Sequence, residues 1–340
     1  MIWLTWRQHR RQALFGVIGL AVLAAVLVPS GRAMRDAFVS SGAKACLDKL
    51  GTAHLVSMDD LDCTSAVDIF ADAHKNWAFG AALLVFLPVF VGMFWGAPLV
   101  SREVEHGTHR LVWTQDVSRT RWFLVKFGLI GGAVLLLSAG YAALMTWWLG
   151  PLTKTLVVPL GYLIFDLHGV VPVAYTLFAV ALGTFAGAVT RKMLPAMGTT
   201  FVVFLAVRAF TEFFVRPRLR GAAEYRIPTT AAEPLVPNPA VRDWVLDSAV
   251  YNADGTVREP DATGFCRPGG PPPDGRPLPS APPRTGNGPC GSGGEATYNM
   301  WTYQPAGRFT LFQAVESGIF VVLAAALIAG TVLLVRRRIS

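Results

Sequence analysis

Residues 312–335 read Phe-Gln-Ala-Val-Glu-Ser-Gly-Ile-Phe-Val-Val-Leu-Ala-Ala-Ala-Leu-Ile-Ala-Gly-Thr-Val-Leu-Leu-Val, and Arg336, Arg337 and Arg338 follow at once. The run carries one charge, Glu316, close to its start. A helix rises ~1.5 Å per residue and the hydrocarbon core of a bilayer is ~30 Å thick. This stretch is therefore long and apolar enough to cross a membrane. Five more runs read the same way: 13–31, 77–100, 123–149, 168–190 and 193–215. The composition agrees, with 53% hydrophobic and 15% charged residues, against roughly 25% charged in a soluble chain. A formal charge of +8 is compatible with nucleic acid, but Lys and Arg sit in short clusters beside apolar runs rather than in one stripe. That is the membrane pattern, and no nucleic-acid partner is expected.

Orientation follows from those clusters. Arg7, Arg10 and Arg11 precede the first run, and Arg102, Arg110, Arg119 and Arg121 lie between the second and third, with Lys126 close behind. Arg191 and Lys192 separate the fourth and fifth runs, and the tail 336–340 is basic. Both termini are thus expected in the cytoplasm. Segment 32–76 is acidic, with Asp59, Asp60, Asp62, Asp68 and Asp72, and is expected outside. Arg216, Arg218 and Arg220 dissent, although long translocated segments obey the charge rule poorly. The first run after Arg10 and Arg11 also has the form of a signal peptide, but Ser30-Gly31-Arg32-Ala33 is a poor cleavage motif. All four cysteines, Cys46, Cys63, Cys266 and Cys290, fall on the expected outer side, where disulfides persist. Three pairings are possible. The local ones, Cys46–Cys63 and Cys266–Cys290, are the simplest; free thiols or a metal site are the alternative, without any CxxC spacing to support metal.

On a helix over 1–12, Ile2, Trp3 and Trp6 share a face, Arg7 and Arg11 lie to one side, and Arg10 falls back among the aromatics. This predicts an interfacial helix with indoles at headgroup depth; a basic flank that only sets topology is the plainer reading. Segment 150–167 reads as an outer loop. Segment 216–311 is the one large soluble region, with short strands such as 244–251, a turn at Asn252-Ala253-Asp254-Gly255 and a Pro/Gly-rich tether over 267–294.

The loop 101–122 reads Ser101-Arg-Glu-Val-Glu-His-Gly-Thr-His-Arg-Leu-Val-Trp-Thr-Gln-Asp-Val-Ser-Arg-Thr-Arg-Trp122. It predicts a short charged helix, a break at Gly107-Thr108, and a second amphipathic piece before Ser118, a candidate N-cap for the third span. Such a segment offers carboxylates and basic groups to a cytoplasmic partner. Glu105, His106 and His109 make a poor metal site, because Gly107 weakens the helix and no HExxH occurs, so no metal is expected. No Walker A motif occurs either. The chain is therefore not expected to be an enzyme: it holds no catalytic residues and no cofactor of its own.

That loop, in particular Glu103-Val-Glu-His-Gly-Thr108 with Trp113-Thr-Gln115 and Ser118-Arg-Thr-Arg-Trp122, resembles the permease subunits of type-2 ATP-binding-cassette transporters in their actinobacterial form. Two further stretches carry the resemblance: Trp3-Leu-Thr-Trp-Arg-Gln-His-Arg10, and Tyr303-Gln-Pro-Ala-Gly-Arg-Phe309 leading to Gln313 and Glu316. The resemblance covers nearly the whole chain. It implies an all-α polytopic membrane protein: six transmembrane helices, an N-terminal interfacial helix, a cytoplasmic coupling helix and a larger extracytoplasmic insertion between spans five and six. It implies that Arg102, Glu103, Glu105, His106, Gly107 and Thr108 lie at or near a separate ATPase subunit, which carries ATP and Mg. Trp3, Trp6, Arg7 and Arg10 would form a second contact, and the Arg191-Lys192 turn a minor third. It also implies a homodimer of permeases in the cell membrane, exporting a lipophilic or amphipathic cargo such as a drug, lipid or peptide. A membrane-anchored sensor or scaffold that binds a ligand through 216–311 is the alternative.

Ionisable residues inside spans are functional candidates by default. Arg208, Glu212 and Arg216 recur every four residues and share a face, and Glu316 enters the sixth run at the same expected depth. A Glu212–Arg208 or Glu316–Arg208 pair would either staple spans five and six or form a polar gate. Pro88, Pro98, Pro172 and Pro195 are expected at kinks or span ends. Gly183-x-x-x-Gly187 permits close packing and is a common dimer signal. Trp147 and Trp148 are expected in an interfacial belt.

Overall fold

The computed structural model describes residues 2–106, 118–156, 158–228, 235–260 and 297–337. Six helices among them are long and apolar enough to cross a membrane: His9–Ser40, Asp59–Glu105, Thr120–Thr155, Val171–Thr190, Met193–Arg218 and Ala306–Arg336, the first to sixth spans. The helix expected over 1–12 runs on without a break into the first span, as one helix Ile2–Ser40. No Gly or Pro interrupts residues 2–15, so nothing stops the helix before it becomes apolar.

The second span is the irregular one. It runs as helix Thr64–Ala82, a 3-10 stretch Leu83–Phe86, helix Leu87–Val91, a π turn Gly92–Gly96 and helix Pro98–Glu105. Pro88 and Pro98 each sit in the first turn of a helical piece, where a missing N–H leaves no carbonyl stranded. The π turn lets the span press its backbone against the fourth. A Cβ on Gly92 or Gly96 would stand 2.6 Å from the carbonyl oxygen of Ala179 or Val180, and one on Gly187 would stand 2.6 Å from that of Ala97. Gly183 meets the Gly92 carbonyl in the same way. The Gly183-x-x-x-Gly187 signal is therefore consumed inside the chain rather than left for a second copy. Replacing Gly183 with Leu should force the two spans apart and leave little monodisperse protein in detergent. Gly128→Leu, where a Cβ meets open space, should purify normally; equal yields of the two variants would contradict the packing argument.

The fourth span is the centre of the bundle, buried over most of its length. It ends at Arg191, whose left-handed backbone (φ 58°) lets its N–H reach the Gly187 carbonyl at 3.0 Å. Of the two tryptophans expected in an interfacial belt, Trp148 is instead core, with Nε1 donating to Ser30 Oγ at 3.1 Å. Trp147 is part-exposed under the Arg35 guanidinium.

The all-α expectation fails between the fifth and sixth spans. Strands β2 (Ala223–Pro228), β4 (Trp244–Asn252), β5 (Val257–Pro260) and β6 (Thr297–Gln304) form an antiparallel sheet in the order β2-β6-β4-β5. The expected turn at 252–255 closes the β4–β5 hairpin, with Gly255 at φ 83°. A second, two-stranded sheet, β1 (Leu55–Ser57) with β3 (Leu235–Pro237), ties the segment after the first span to the region between the fifth and sixth spans. Asn238 reinforces the tie, donating from Nδ2 to the Ala53 carbonyl at 2.7 Å and the Leu50 carbonyl at 3.1 Å. Cys46 and Cys63 are disulfide-bonded, with Cα atoms 5.5 Å apart. The Cys266–Cys290 pair and the tether 267–294 lie outside the described residues. Converting Cys46 and Cys63 to Ser should destabilise this end by about 3 kcal/mol, the loop-closure value for a link of this span. Thermal unfolding without reductant measures it: the double variant should melt below the wild type, and equal melting temperatures would show that the bond contributes nothing to stability.

Candidate functional site

The two ends of the bundle differ in character. At the end opposite the sheet, the helix Pro98–Glu105 closes the second span with Arg102, Glu103 and Glu105. Lys126, on the third span and nearly buried, donates to Glu103 and lies 5.3 Å over the Trp122 ring. Glu105 reaches the fifth span: its Oε2 accepts the Met193 N–H at 2.9 Å. Met193 is the first residue of that helix, and Lys192 at the N-cap offers no side-chain bond. A carboxylate from the second span thus takes the capping place and meets the positive end of the helix dipole.

His106 folds back, with Nδ1 2.8 Å from the Arg102 carbonyl. Ser118 is an N-cap as expected, its Oγ accepting the Arg121 N–H at 3.3 Å. Arg336 donates to Thr120 Oγ1 at 2.9 Å, joining the sixth span to the third. Arg7 lies 5.3 Å over the Trp3 ring, and both residues are exposed, as is Arg10. Gly107, Thr108, Trp113 and Gln115 lie outside the described residues, as does the side chain of Trp6.

At the sheet end the fifth span delivers Arg208, Glu212 and Arg216 to a buried ionic cluster. Its other members are Asp166, from the segment before the fourth span, Tyr175 of the fourth and Glu316 of the sixth. Arg216 holds Glu316 with two bonds, Nε to Oε2 at 3.0 Å and Nη2 to Oε1 at 2.9 Å, and reaches Asp166 Oδ1 at 2.8 Å. Its guanidinium covers the Phe165 ring at 4.1 Å. Arg208 donates to Asp166 and stands 3.4 Å from Glu212. The Tyr175 hydroxyl lies between Asp166 (3.1 Å) and Glu316 and donates to one of them. Nearby, Gln313 accepts the Val170 and Val171 N–H groups at 2.9 and 3.0 Å and donates to the Phe165 carbonyl at 3.1 Å.

The Glu212–Arg208 pair is as expected. Glu316, however, pairs with Arg216 rather than with Arg208. Arg216, which breaks the charge rule as a loop residue, is wholly buried and belongs to the span, so the exception narrows to Arg218 and Arg220. Asp166 and Tyr175 were not singled out by the sequence. The one available signal for Asp166 was that it is the sole acid between residues 150 and 167. Glu212 lies in a π turn, Thr211–Val215, a distortion frequent at functional sites. Asp166 and Glu316 balance Arg208 and Arg216; Glu212 is the surplus acid.

Above the cluster, the Tyr225 and Tyr303 rings stack at 3.9 Å, and Tyr225 donates to Asp243 at 2.8 Å. Burial, then the neighbouring Tyr303 and Asp243, push the Tyr225 phenol well above its ordinary range, so it stays a donor. His54 Nδ1, from the segment after the first span, lies 2.7 Å from the same carboxylate.

A family model described as ABC-2 membrane transporter related matches residues 17–216. That stretch holds the first span from Val17, the second to fourth spans, the fifth as far as Arg216, the Glu105 cap and every member of the cluster but Glu316. No curated protein and no solved structure matches the chain.

Proposed function

The chain belongs to the ABC-2 membrane transporter related family, and from that premise we propose that it is the membrane-spanning permease of an ATP-driven exporter that works with a separate ATPase subunit. The observation that carries the reading is the bond from Glu105 to the first residue of the fifth span. A segment that only anchored topology would have no need to hold another span by its end. Here Glu103 holds the third span through Lys126 and Glu105 holds the fifth.

On this reading, Arg102, Glu103, Glu105, His106, Gly107 and Thr108 face the ATPase. Trp3, Trp6, Arg7 and Arg10 flank that contact. Closure of the ATPase around ATP and Mg displaces the helix Pro98–Glu105, and the third and fifth spans follow. The fifth span carries Arg208, Glu212 and Arg216 at its far end, so its tilt loads the ionic cluster. ATP drives the change only as far as it binds one conformation better than the other. The gathering of Arg7, Arg11, Arg102, Arg191 and Arg336 away from the sheet supports a cytoplasmic placing of both termini. Two copies face each other, and the cargo is lipophilic or amphipathic.

Purification of the chain with its candidate ATPase, followed by ATP hydrolysis in liposomes, tests this. The chain alone should hydrolyse no ATP, and the pair should hydrolyse it at a rate that responds to the permease. A chain that neither binds the ATPase nor alters its rate would return attention to the sheet and to a sensor or scaffold role.

A further inference from the structure

The first span packs on the third along a small-residue seam. A Cβ on Gly16 would stand 2.6 Å from Leu137, and one on Gly140 would stand 3.0 Å from Leu20. Beside it the first, second and third spans line an apolar groove of about 550 Å³, walled by Gly19, Val22, Leu87, Trp95, Leu137 and Tyr141. A Cβ on Gly19 would meet nothing within 4 Å, so no side chain of the described residues fills the space beside it.

Toward the basic end the groove meets a second cleft, of about 620 Å³, and Trp95 lines both. Arg11, Arg102 and Lys126 line this second cleft together with His9 and Glu103. Glu103 neutralises Lys126. Arg11 and Arg102 have no carboxylate partner among the described residues, and His9 Nε2 is buried without a hydrogen bond. The composite has the polarity of an amphiphile: an apolar groove between membrane-spanning helices that runs, at its basic end, to two guanidiniums.

We propose that it binds one phospholipid with an anionic headgroup. The phosphate sits against Arg11 and Arg102, whose planar forks suit it, and an acyl chain lies along the Gly19 wall. Charge complementarity chooses this occupant. A neutral apolar molecule would leave both guanidiniums unanswered, and a free phosphate would leave the groove empty. The site requires only that the spans lie in a bilayer, so it stands whether or not the ATPase reading holds.

The test uses the full chain in detergent, with dioleoyl phosphatidylglycerol, dioleoyl phosphatidylcholine and the chain-free headgroup glycerophosphoglycerol as probes. Retained lipid is read by native mass spectrometry and stabilisation by thermal unfolding. Phosphatidylglycerol should be retained about thirty-fold better than phosphatidylcholine, the preference two basic groups give near an anionic headgroup. The headgroup alone should do nothing. Gly19→Leu should remove the retention without changing the melting temperature of delipidated protein, and Val22→Trp on the same wall should do likewise if Gly19→Leu folds poorly. Arg11→Gln with Arg102→Gln should erase the preference between the two lipids. Equal retention of both lipids by the wild type, stabilisation by the headgroup alone, or full retention in both groove variants would overturn the proposal. So would disulfide formation between two copies of Gly19→Cys, which would give the groove to a partner chain.

Discussion

Arg216→Ala should lower the stability of the folded chain by about 3–5 kcal/mol, the loss seen when one partner of a buried ion pair is removed. Arg216 is wholly buried and gives Glu316 both of its bonds from a guanidinium. Without it, Glu316 and Asp166 face one another with Arg208 as the nearby cation and Tyr175 as a shared donor. Thermal unfolding in detergent measures the loss. Glu212→Gln should cost far less, because Arg208 keeps Asp166 as its partner when Glu212 is neutral and Glu212 is the acid in excess. Arg216→Met combined with Glu316→Leu should recover much of the loss, since a buried pair exchanged for apolar groups of similar volume is often neutral. This double variant also separates staple from gate. If it folds and the ATPase couples to it normally, the cluster only holds spans four to six together. If it folds but no longer transports, the charges take part in opening the sheet end. A wild-type melting temperature in Arg216→Ala would show that the cluster is not a staple.

What the sequence disclosed about this cluster shows where pattern reading stops. Arg208, Glu212 and Glu316 stand out because a charge inside an apolar run is rare. Arg216 shares the four-residue spacing of Arg208 and Glu212, but it is followed by Pro217, Arg218 and Arg220 and reads as the start of a loop. Asp166 lies outside every apolar run, and only the fold of 158–170 brings it inward. Tyr175 looks like any aromatic residue of a span. The six spans were legible because each is fixed by a local quantity, the length of an apolar run. The sheet was half legible: 244–251 reads as a strand, and Asn252 to Gly255 mark a turn after it. Its order was not legible, because β6 inserts between β2 and β4 from more than forty residues further along the chain. The Glu105 cap was out of reach for the same reason. It joins residues 88 positions apart, and nothing about a lone glutamate in a loop says which helix end it meets.

That cap gives the second large expected effect. Glu105→Ala should reduce ATP-coupled transport ten-fold or more, while the melting temperature falls by no more than the loss of one helix cap, about 1 kcal/mol. The difficulty is that a cap stabilises its helix whether or not it transmits anything. The geometry at Lys192 resolves it. Its backbone is extended (φ −128°, ψ 138°), the conformation an N-cap residue adopts, and only its side chain is wrong for the role. Lys192→Ser should therefore supply a cap from the fifth span itself. In the variant Glu105→Ala with Lys192→Ser, stability should return toward the wild-type value, because the Met193 end of the helix again has an acceptor. Coupling should stay lost, because the helix Pro98–Glu105 no longer holds the fifth span. Glu105→Gln, which keeps an acceptor but no charge, should fall between the wild type and Glu105→Ala in both readouts. If the double variant recovers transport along with stability, Glu105 is a cap and nothing more, and force passes from the second span by another route. The remaining candidate is the Glu103–Lys126 bond to the third span. A Glu105→Ala variant that transports normally would remove the fifth span from the coupling path altogether.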